Sequence, residues 1–225
     1  MIEAILFDID GTLVDSNEQH VTAWEEAFRG VGMTFDRQRI HDQIGKGSDN
    51  LVPALLPQSN EAEQESLGDA HGKVFKSKFL NDVKPFAGAR DLLLRVHEAG
   101  QKVVLASSAS GEELEHYLDL LDVREIVSAS TSADDVEHTK PAPDIFAAAL
   151  TKVAPVKAEH AVVVGDTPYD IEAAARCGII AIGLRSGKFS DESLREAGAV
   201  AIYDDVAALL ADYEHSPLNT GRLRD

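Results

Sequence analysis

A chain of 225 residues, 44% hydrophobic and 27% charged, is long enough for one large globular domain or a domain carrying a sizeable insert. Its 39 acidic against 21 basic side chains give a net charge of −18, a surface that repels nucleic acid and anionic membranes and excludes both as expected partners. One cysteine, Cys177, allows no intramolecular disulfide, and no run reaches the ~20 apolar residues of a membrane span.

The N-terminus carries acidic Glu3 and no basic lead-in for a signal peptide, so a reducing cytoplasm is the expected compartment. The first element is the apolar run "EAILFD" (3–8), which reads as a buried strand and opens into "IDGTLVDS", with Asp8, Asp10 and Asp15 at its mouth. From Ser16 to about Lys84 no strand-like run appears. Ser16 with Gln19 makes a capping-box pattern, and Val21, Trp24, Phe28 and Val31 share one helical face. That stripe predicts Trp24 as a core residue. Helical stretches follow at 50–56 and 62–80, separated by the loop signals "GKGSDN" (45–50) and "PQSN" (57–60). Lys73, Lys76 and Lys78 read as a solvated helix face.

The phrase "VKPFAGA" (83–89) then returns the chain to a strand–helix rhythm. A helix over 88–99 stacks Leu92, Leu93 and Val96 and stops at Gly100. Strand "KVVLAS" (102–107) and a helix over 111–122 with Leu114, Tyr117, Leu118 and Leu121 come next. "EIVSAS" (125–130) and "HAVVVGD" (160–166) read as strands, and a helix over 168–177 starts at Pro168 and ends at Gly178. "GIIAIG" (178–183) and "AVAIY" (199–203) close the set. Most of these runs are apolar at consecutive positions, as strands covered on both faces are.

The fold class expected is therefore α/β: a Rossmann-like, mainly parallel sheet with an inserted α-helical domain. The expected division is a core of residues 1–15 and 85–214, a helical cap of residues 16–84, and a loose C-terminal tail of residues 215–225.

In open parallel sheets, ligands bind beyond the carboxyl ends of the strands. Asp8 and Asp10 follow the first strand, Ser107 ends "LAS", Asp166 ends "VVVGD" with Asp170 one helical turn on, and Lys140 sits in "TKPAPDIF" before a helix. Carboxylates sharing one crevice repel each other, and a divalent cation with a lysine relieves that. Hard oxygen donors without nearby histidine or cysteine favour Mg²⁺. Lys140 can neutralise Asp8, while Ser107 and backbone amides near Gly11 and Ser108 offer neutral donors to phosphate oxygens.

Four segments in this order, "DIDGTLVDS", "LASSAS", "TKPAPDIF" and "VVVGDTPYDIEAA", resemble the four motifs of the haloacid dehalogenase superfamily, and the whole is similar to its phosphoglycolate phosphatase and β-phosphoglucomutase branch. The resemblance implies Asp8 as a nucleophile forming an aspartyl phosphate, and Asp10 as general acid, then base, giving its backbone carbonyl to the metal. It implies Ser107 and Ser108 at the transferring phosphate, with Lys140 orienting that group and Asp8. Asp166 would ligate Mg²⁺ together with Asp8 and Asp10, with Asp170 and Thr12 in support. Dehalogenases and phosphonatases lack an aspartate two residues after the nucleophile, so Asp10 favours phosphate esters.

The cap positions stay open. His20 points into the crevice or packs, and Lys46, between two glycines, meets a substrate anion or solvent. The expected function is a Mg²⁺-dependent phosphatase acting on a small phosphate ester (a sugar phosphate, phosphoglycolate or similar), as a monomer or homodimer. The alternative is a β-phosphoglucomutase-like phosphomutase, which needs a second phosphate clamp, usually an arginine; "GKGSDN" has only Lys46. A non-catalytic phosphoaspartate receiver gains nothing from a helical insert.

Overall fold

The computed structural model describes residues 1–221. In chain order the elements are β1 (Ala4–Phe7), β2 (Val14–Asp15), α1 (Asn17–Gly30), α2 (Arg37–His41), α3 (Ser48–Leu55), α4 (Glu61–Lys78), β3 (Lys84–Pro85), α5 (Ala89–Glu98) and β4 (Lys102–Ala106). There follow α6 (Gly111–Leu121), β5 (Val127–Thr131), α7 (Asp144–Lys152), β6 (Ala161–Gly165), α8 (Pro168–Arg176), β7 (Ile180–Leu184), α9 (Asp191–Glu196), β8 (Ala201–Tyr203), α10 (Val206–Ala211) and α11 (Pro217–Thr220).

Six strands form one parallel sheet in the order β5-β4-β1-β6-β7-β8. β1 lies inside it, paired with β4 and β6, and every residue of β1 is fully buried. Its side chains alternate between faces: Ile5 and Phe7 join one apolar cluster, Ala4 and Leu6 the other. Helices cover both faces, which explains why these strands are apolar at consecutive positions rather than alternating. Phe7 lies in register with Leu105 on one side and Val164 on the other, so β1, β4 and β6 end at one level. The order of the sheet reverses at β1, the place where such sheets form a crevice.

The helices between β1 and β3 gather a third cluster of their own around Trp24, Phe28, Leu51 and Leu67. The chain leaves and re-enters the sheet through a two-residue antiparallel ribbon, Val14 opposite Pro85 and Asp15 opposite Lys84. This ribbon is too short to leave a periodic signal in sequence.

Three local expectations are corrected. Ser16 precedes α1 but makes no side-chain capping bond; its hydroxyl goes to Asp10 instead. Val31 does not continue the stripe of Val21, Trp24 and Phe28, because α1 ends at Gly30 and Val31 is exposed. The segment from His215 is not loose through Gly221: Ser216 caps α11, and Leu218 is fully buried in the main core. Residues 222–225 of the expected tail lie outside the described residues.

Candidate active site

The local geometry begins with the period of two. Asp8 and Asp10 flank Ile9, which is fully buried, so both carboxylates leave the strand end on the opposite side from Ile9. The chain then turns tightly: the Ile9 carbonyl accepts from the amides of Thr12, Leu13 and Val14. Gly11 has φ +76°, and a Cβ there would stand 2.2 Å from Asp166 Oδ2, so backbone conformation and space both require glycine. Its amide donates to the Val14 carbonyl at 2.8 Å. Of the amides near Gly11, its own is therefore taken up within the turn.

Asp8, Asp166 and Asp170 come together, each buried, with one carboxylate oxygen apiece lying within 4.8 Å of the others. Lys140, 1% exposed, bridges two of them: Nζ donates to Asp8 Oδ1 and lies 2.7 Å from Asp170 Oδ1. Thr12 Oγ1 lies 3.0 Å from Asp166 Oδ1 and 3.3 Å from Asp8 Oδ2, tying those two together. Asp170 is aimed by its place on α8. Its Oδ2 accepts from the Thr167 amide at 3.0 Å and the Thr167 hydroxyl at 2.7 Å, a capping box with Pro168 at the first helical position. Capping α8 and facing Lys140 are thus two jobs of one side chain, and both its oxygens are engaged.

Burial first, then the neighbouring charges of Asp170 and Asp10, push the Asp8 carboxyl up to about 7 despite Lys140. Burial, Asp8 and Asp170 likewise hold Asp166 well above the carboxylate range. Burial would release the Lys140 proton, but Asp170 and Asp8 outweigh it and keep the ammonium charged. One lysine does not neutralise three carboxylates, so the cluster has an electrostatic deficit that a cation would fill.

The donor set fits a hard divalent cation. It is all oxygen, without thiolate or imidazole. A second observation agrees. Asn17 Nδ2 donates to Asp166 Oδ2 at 2.9 Å, while its own Oδ1 is buried with no hydrogen-bond partner among the described residues. An acceptor stranded beside these carboxylates lacks a donor that the hydration shell of such an ion supplies.

The Asp10 side chain lies outside that trio. Its Oδ1 accepts from Ser16 (2.6 Å), Tyr117 (2.8 Å) and His20 Nε2 (3.1 Å), and its Oδ2 lies 3.5 Å from Ser107 Oγ. Burial alone would raise this carboxyl. The His20 charge and the bonds from His20, Ser16 and Tyr117 prevail and bring it to about 2. In return Asp10 overcomes the burial of His20 and raises its pKa above the ordinary 6.5, so the proton of the pair sits on the imidazole. Beyond it, His20 Nδ1 lies 3.2 Å from His71 Nε2. Burial, with the His20 charge, pushes His71 well below 6.5, making it the neutral acceptor. His71 stacks on Trp24 with ring centroids 4.3 Å apart.

Asp8, Asp10, His20 and Ser108 open onto a cavity of about 460 Å³ whose far wall comes from the helices between β1 and β3. Trp24 is a core residue, as its stripe predicts, and also lines this cavity. Lys46 lines it too, with Nζ donating to Gln43 Oε1 at 2.6 Å and lying 4.3 Å from the Tyr169 ring centroid. Ser107 is fully buried, its Oγ accepting from the Ala109 amide at 3.0 Å. Lys73 is exposed, as the solvated-face reading has it, and also borders the cavity; Lys76 departs from that reading, half-buried at the cavity edge and paired with Glu112 at 2.7 Å. Lys78 does face out, to Glu26.

Sequence reasoning missed Asn17, Tyr117 and His71. Tyr117 and His71 read as ordinary helix residues, and only the third dimension brings them to Asp10 and His20.

Comparison with known proteins agrees with this geometry. The family model described as haloacid dehalogenase-like hydrolase matches residues 2–178. A phosphoglycolate phosphatase of Vibrio cholerae is 27% identical over 217 residues, 93% of this chain and 96% of that protein. A fructose-1-phosphate phosphatase of Escherichia coli is 28% identical, covering 80% of this chain and 95% of its own length. The crystal structure of a hydrolase from Pseudomonas syringae superposes with a TM-score of 0.88 at 30% identity, covering 96% of this chain and 99% of that one.

Proposed function

The chain belongs to the haloacid dehalogenase-like hydrolase family, and as a phosphoric monoester hydrolase of that family we propose that it is a Mg²⁺-dependent phosphatase working through an aspartyl phosphate on Asp8. The observation that carries this reading is the Asp8–Lys140 pair, buried at the end of the central strand beside Asp166 and Asp170, with Asp8 facing the cavity.

Asp8 attacks phosphorus as the bond to the ester oxygen breaks, and a positioned carboxylate splits one hard displacement into two easier ones. Lys140 favours the ionised form of Asp8 against its burial, aligns it, and offsets charge on the transferring group. The leaving oxygen takes the proton that Asp10 and His20 hold between them, delivered through Asp10. Asp10 then removes a proton from water, which attacks phosphorus, breaks the bond to Asp8 and releases inorganic phosphate. Ser107 and Ser108 donate to the phosphoryl oxygens, and Thr12 keeps Asp8 and Asp166 in place. Asp8, Asp166 and the backbone carbonyl of Asp10 would hold Mg²⁺, with Asp170 and Asn17 in support; the bound ion supplies charge neutralisation and polarises a phosphoryl oxygen.

Residues 16–84 act in this reading as a cap that covers the site and supplies specificity. The volume of the cavity suits a small phosphorylated metabolite such as a sugar phosphate or phosphoglycolate. His20, Lys46, Lys73 and Lys76 give that wall a positive character in a chain of net charge −18, which suits an anionic substrate. The phosphomutase alternative has no specific observation in its favour, since Lys46 is the one cation in "GKGSDN".

The test is hydrolysis of p-nitrophenyl phosphate and a panel of phosphorylated metabolites with Mg²⁺ and with chelator. Turnover that persists in chelator, or full activity in Asp8→Asn, would overturn the reading.

A further inference from the structure

The turn Gly45–Gly47 and the first turn of α3 that follows it lean on three of the loops that carry the site. Gly45 packs on Thr167, Ser108 Oγ lies 3.4 Å from the Gly45 carbonyl, and Gly47 packs on Thr139 so tightly that a Cβ would fall 2.4 Å from Thr139 Cγ2. The contact at Thr139 is the densest. Its amide donates to Asp49 Oδ2 at 3.0 Å, and its hydroxyl donates to Asp49 Oδ1. The Gly47 amide donates to Thr139 Oγ1 at 3.0 Å, and Asn50 Nδ2 donates to the Thr139 carbonyl at 3.1 Å. Amide, hydroxyl and carbonyl of one residue are therefore all bonded to a four-residue stretch about ninety positions away in sequence.

Asp49 stands in the first turn of α3, where the helix dipole favours an acid. It has no ion pair among the described residues, and its two oxygens converge on Thr139, with Asn50 Nδ2 at 3.0 Å. The helix accounts for an acid at this position but not for both its oxygens turning to one threonine of a distant loop, and that pairing calls for a reason. The reason lies one residue on. Thr139 precedes Lys140, the cation shared by Asp8 and Asp170, in a stretch with neither strand nor helix to hold it.

We propose that Asp49, Asn50 and Thr139 form a latch through which the docked helical segment positions Lys140. Thr139 is the positioning residue and Asp49 its principal contact. The site then has its lysine aligned on Asp8 when the segment is docked, and loses that alignment when it lifts. This inference rests on the reading of Lys140 as the cation serving Asp8.

The test uses the full chain and two readouts. The first is the rate at which each lysine is acetylated by a small reagent, followed by peptide mass spectrometry; Lys140 is 1% exposed and should resist in the wild type. The second is kcat and KM with p-nitrophenyl phosphate. Thr139→Val and Asp49→Ala should each speed Lys140 labelling relative to exposed Lys84 and lower kcat about tenfold, with KM changing less. The double variant should be no worse than the worse single one, as partners in one contact are non-additive. Thr139→Ser, which keeps the hydroxyl, should behave as wild type. Should a variant fail to fold, Asn50→Ala removes one amide at the same contact and should move both readouts the same way. Unchanged Lys140 labelling in Thr139→Val and Asp49→Ala, or independent multiplying effects in the double variant, would overturn the latch. Labelling needs no turnover, so its failure is distinct from failure of the phosphatase reading.

Discussion

Replacing His20 by glutamine keeps a hydrogen-bond donor near Asp10 but removes the charge that sets where the proton of the pair resides. His20 Nε2 lies 3.1 Å from Asp10 Oδ1, and the carboxyl falls from 3.8 to about 2 even though burial opposes the change. A fall of that size corresponds to roughly 2–3 kcal/mol, shared by His20, whose charge and hydrogen bond act most, with the hydrogen bonds from Ser16 and Tyr117. Without the imidazolium the carboxyl rises and becomes the sole holder of the proton. In the wild type that proton is lost as pH rises through the His20 pKa, which lies above 6.5. The alkaline limb of kcat should therefore sit above that of an ordinary histidine in the wild type and move to lower pH in His20→Gln. At neutral pH kcat should fall by about 10²-fold, the scale of acid–base assistance. The assay is kcat against pH at saturating substrate and Mg²⁺, with the melting temperature as a control on folding. An alkaline limb that stays in place in His20→Gln would refute the assignment of the proton to this pair.

Other predictions follow from the carboxylate cluster and the core. Asn17→Ala should weaken Mg²⁺ binding about 10- to 100-fold by calorimetry, since it removes both the bond to Asp166 and the stranded acceptor; unchanged affinity would leave Asn17 a packing residue. With Asp8 raised to about 7 and Asp166 well above the carboxylate range, the metal-free site holds protons near neutral pH that a cation must displace. Mg²⁺ affinity should fall as pH is lowered through 7, and calorimetry in buffers of different ionisation heat should register net proton release; none would contradict the assigned protonation. Leu218→Ala should lower stability by about 2–5 kcal/mol in denaturant unfolding, because its side chain is fully buried in the main core. A loss near zero would return this segment to a loose tail.

The sheet was legible because strands covered on both faces must be apolar throughout, so "AILF", "KVVLA" and "AVVVG" announce themselves without any partner information. Asp8, Asp166, Asp170 and Lys140 were legible for a related reason: polar groups at strand ends stand out against such runs, and parallel topology brings those ends to one rim. What escaped depends on contacts between helices distant in sequence. Tyr117 satisfies the apolar stripe of α6 with its ring and reaches Asp10 with its hydroxyl; periodicity reports only the ring. Ser16 looked like a helix cap, yet the nearer carboxylate won its hydroxyl. Lys76 looked solvated because what faces a helix is a property of the neighbour packed against it.

The central claim is that Asp8 carries the phosphoryl group during turnover. The direct measurement is rapid acid quench of the enzyme with Mg²⁺ and a turned-over substrate, followed by mass spectrometry of the peptide that holds residues 4–16. One phosphoryl group on Asp8, lost on a chase with unlabelled substrate and absent in Asp8→Asn, is the predicted result. Full turnover with no phosphoryl group on that peptide at any quench time, or with the group on another residue, would contradict it.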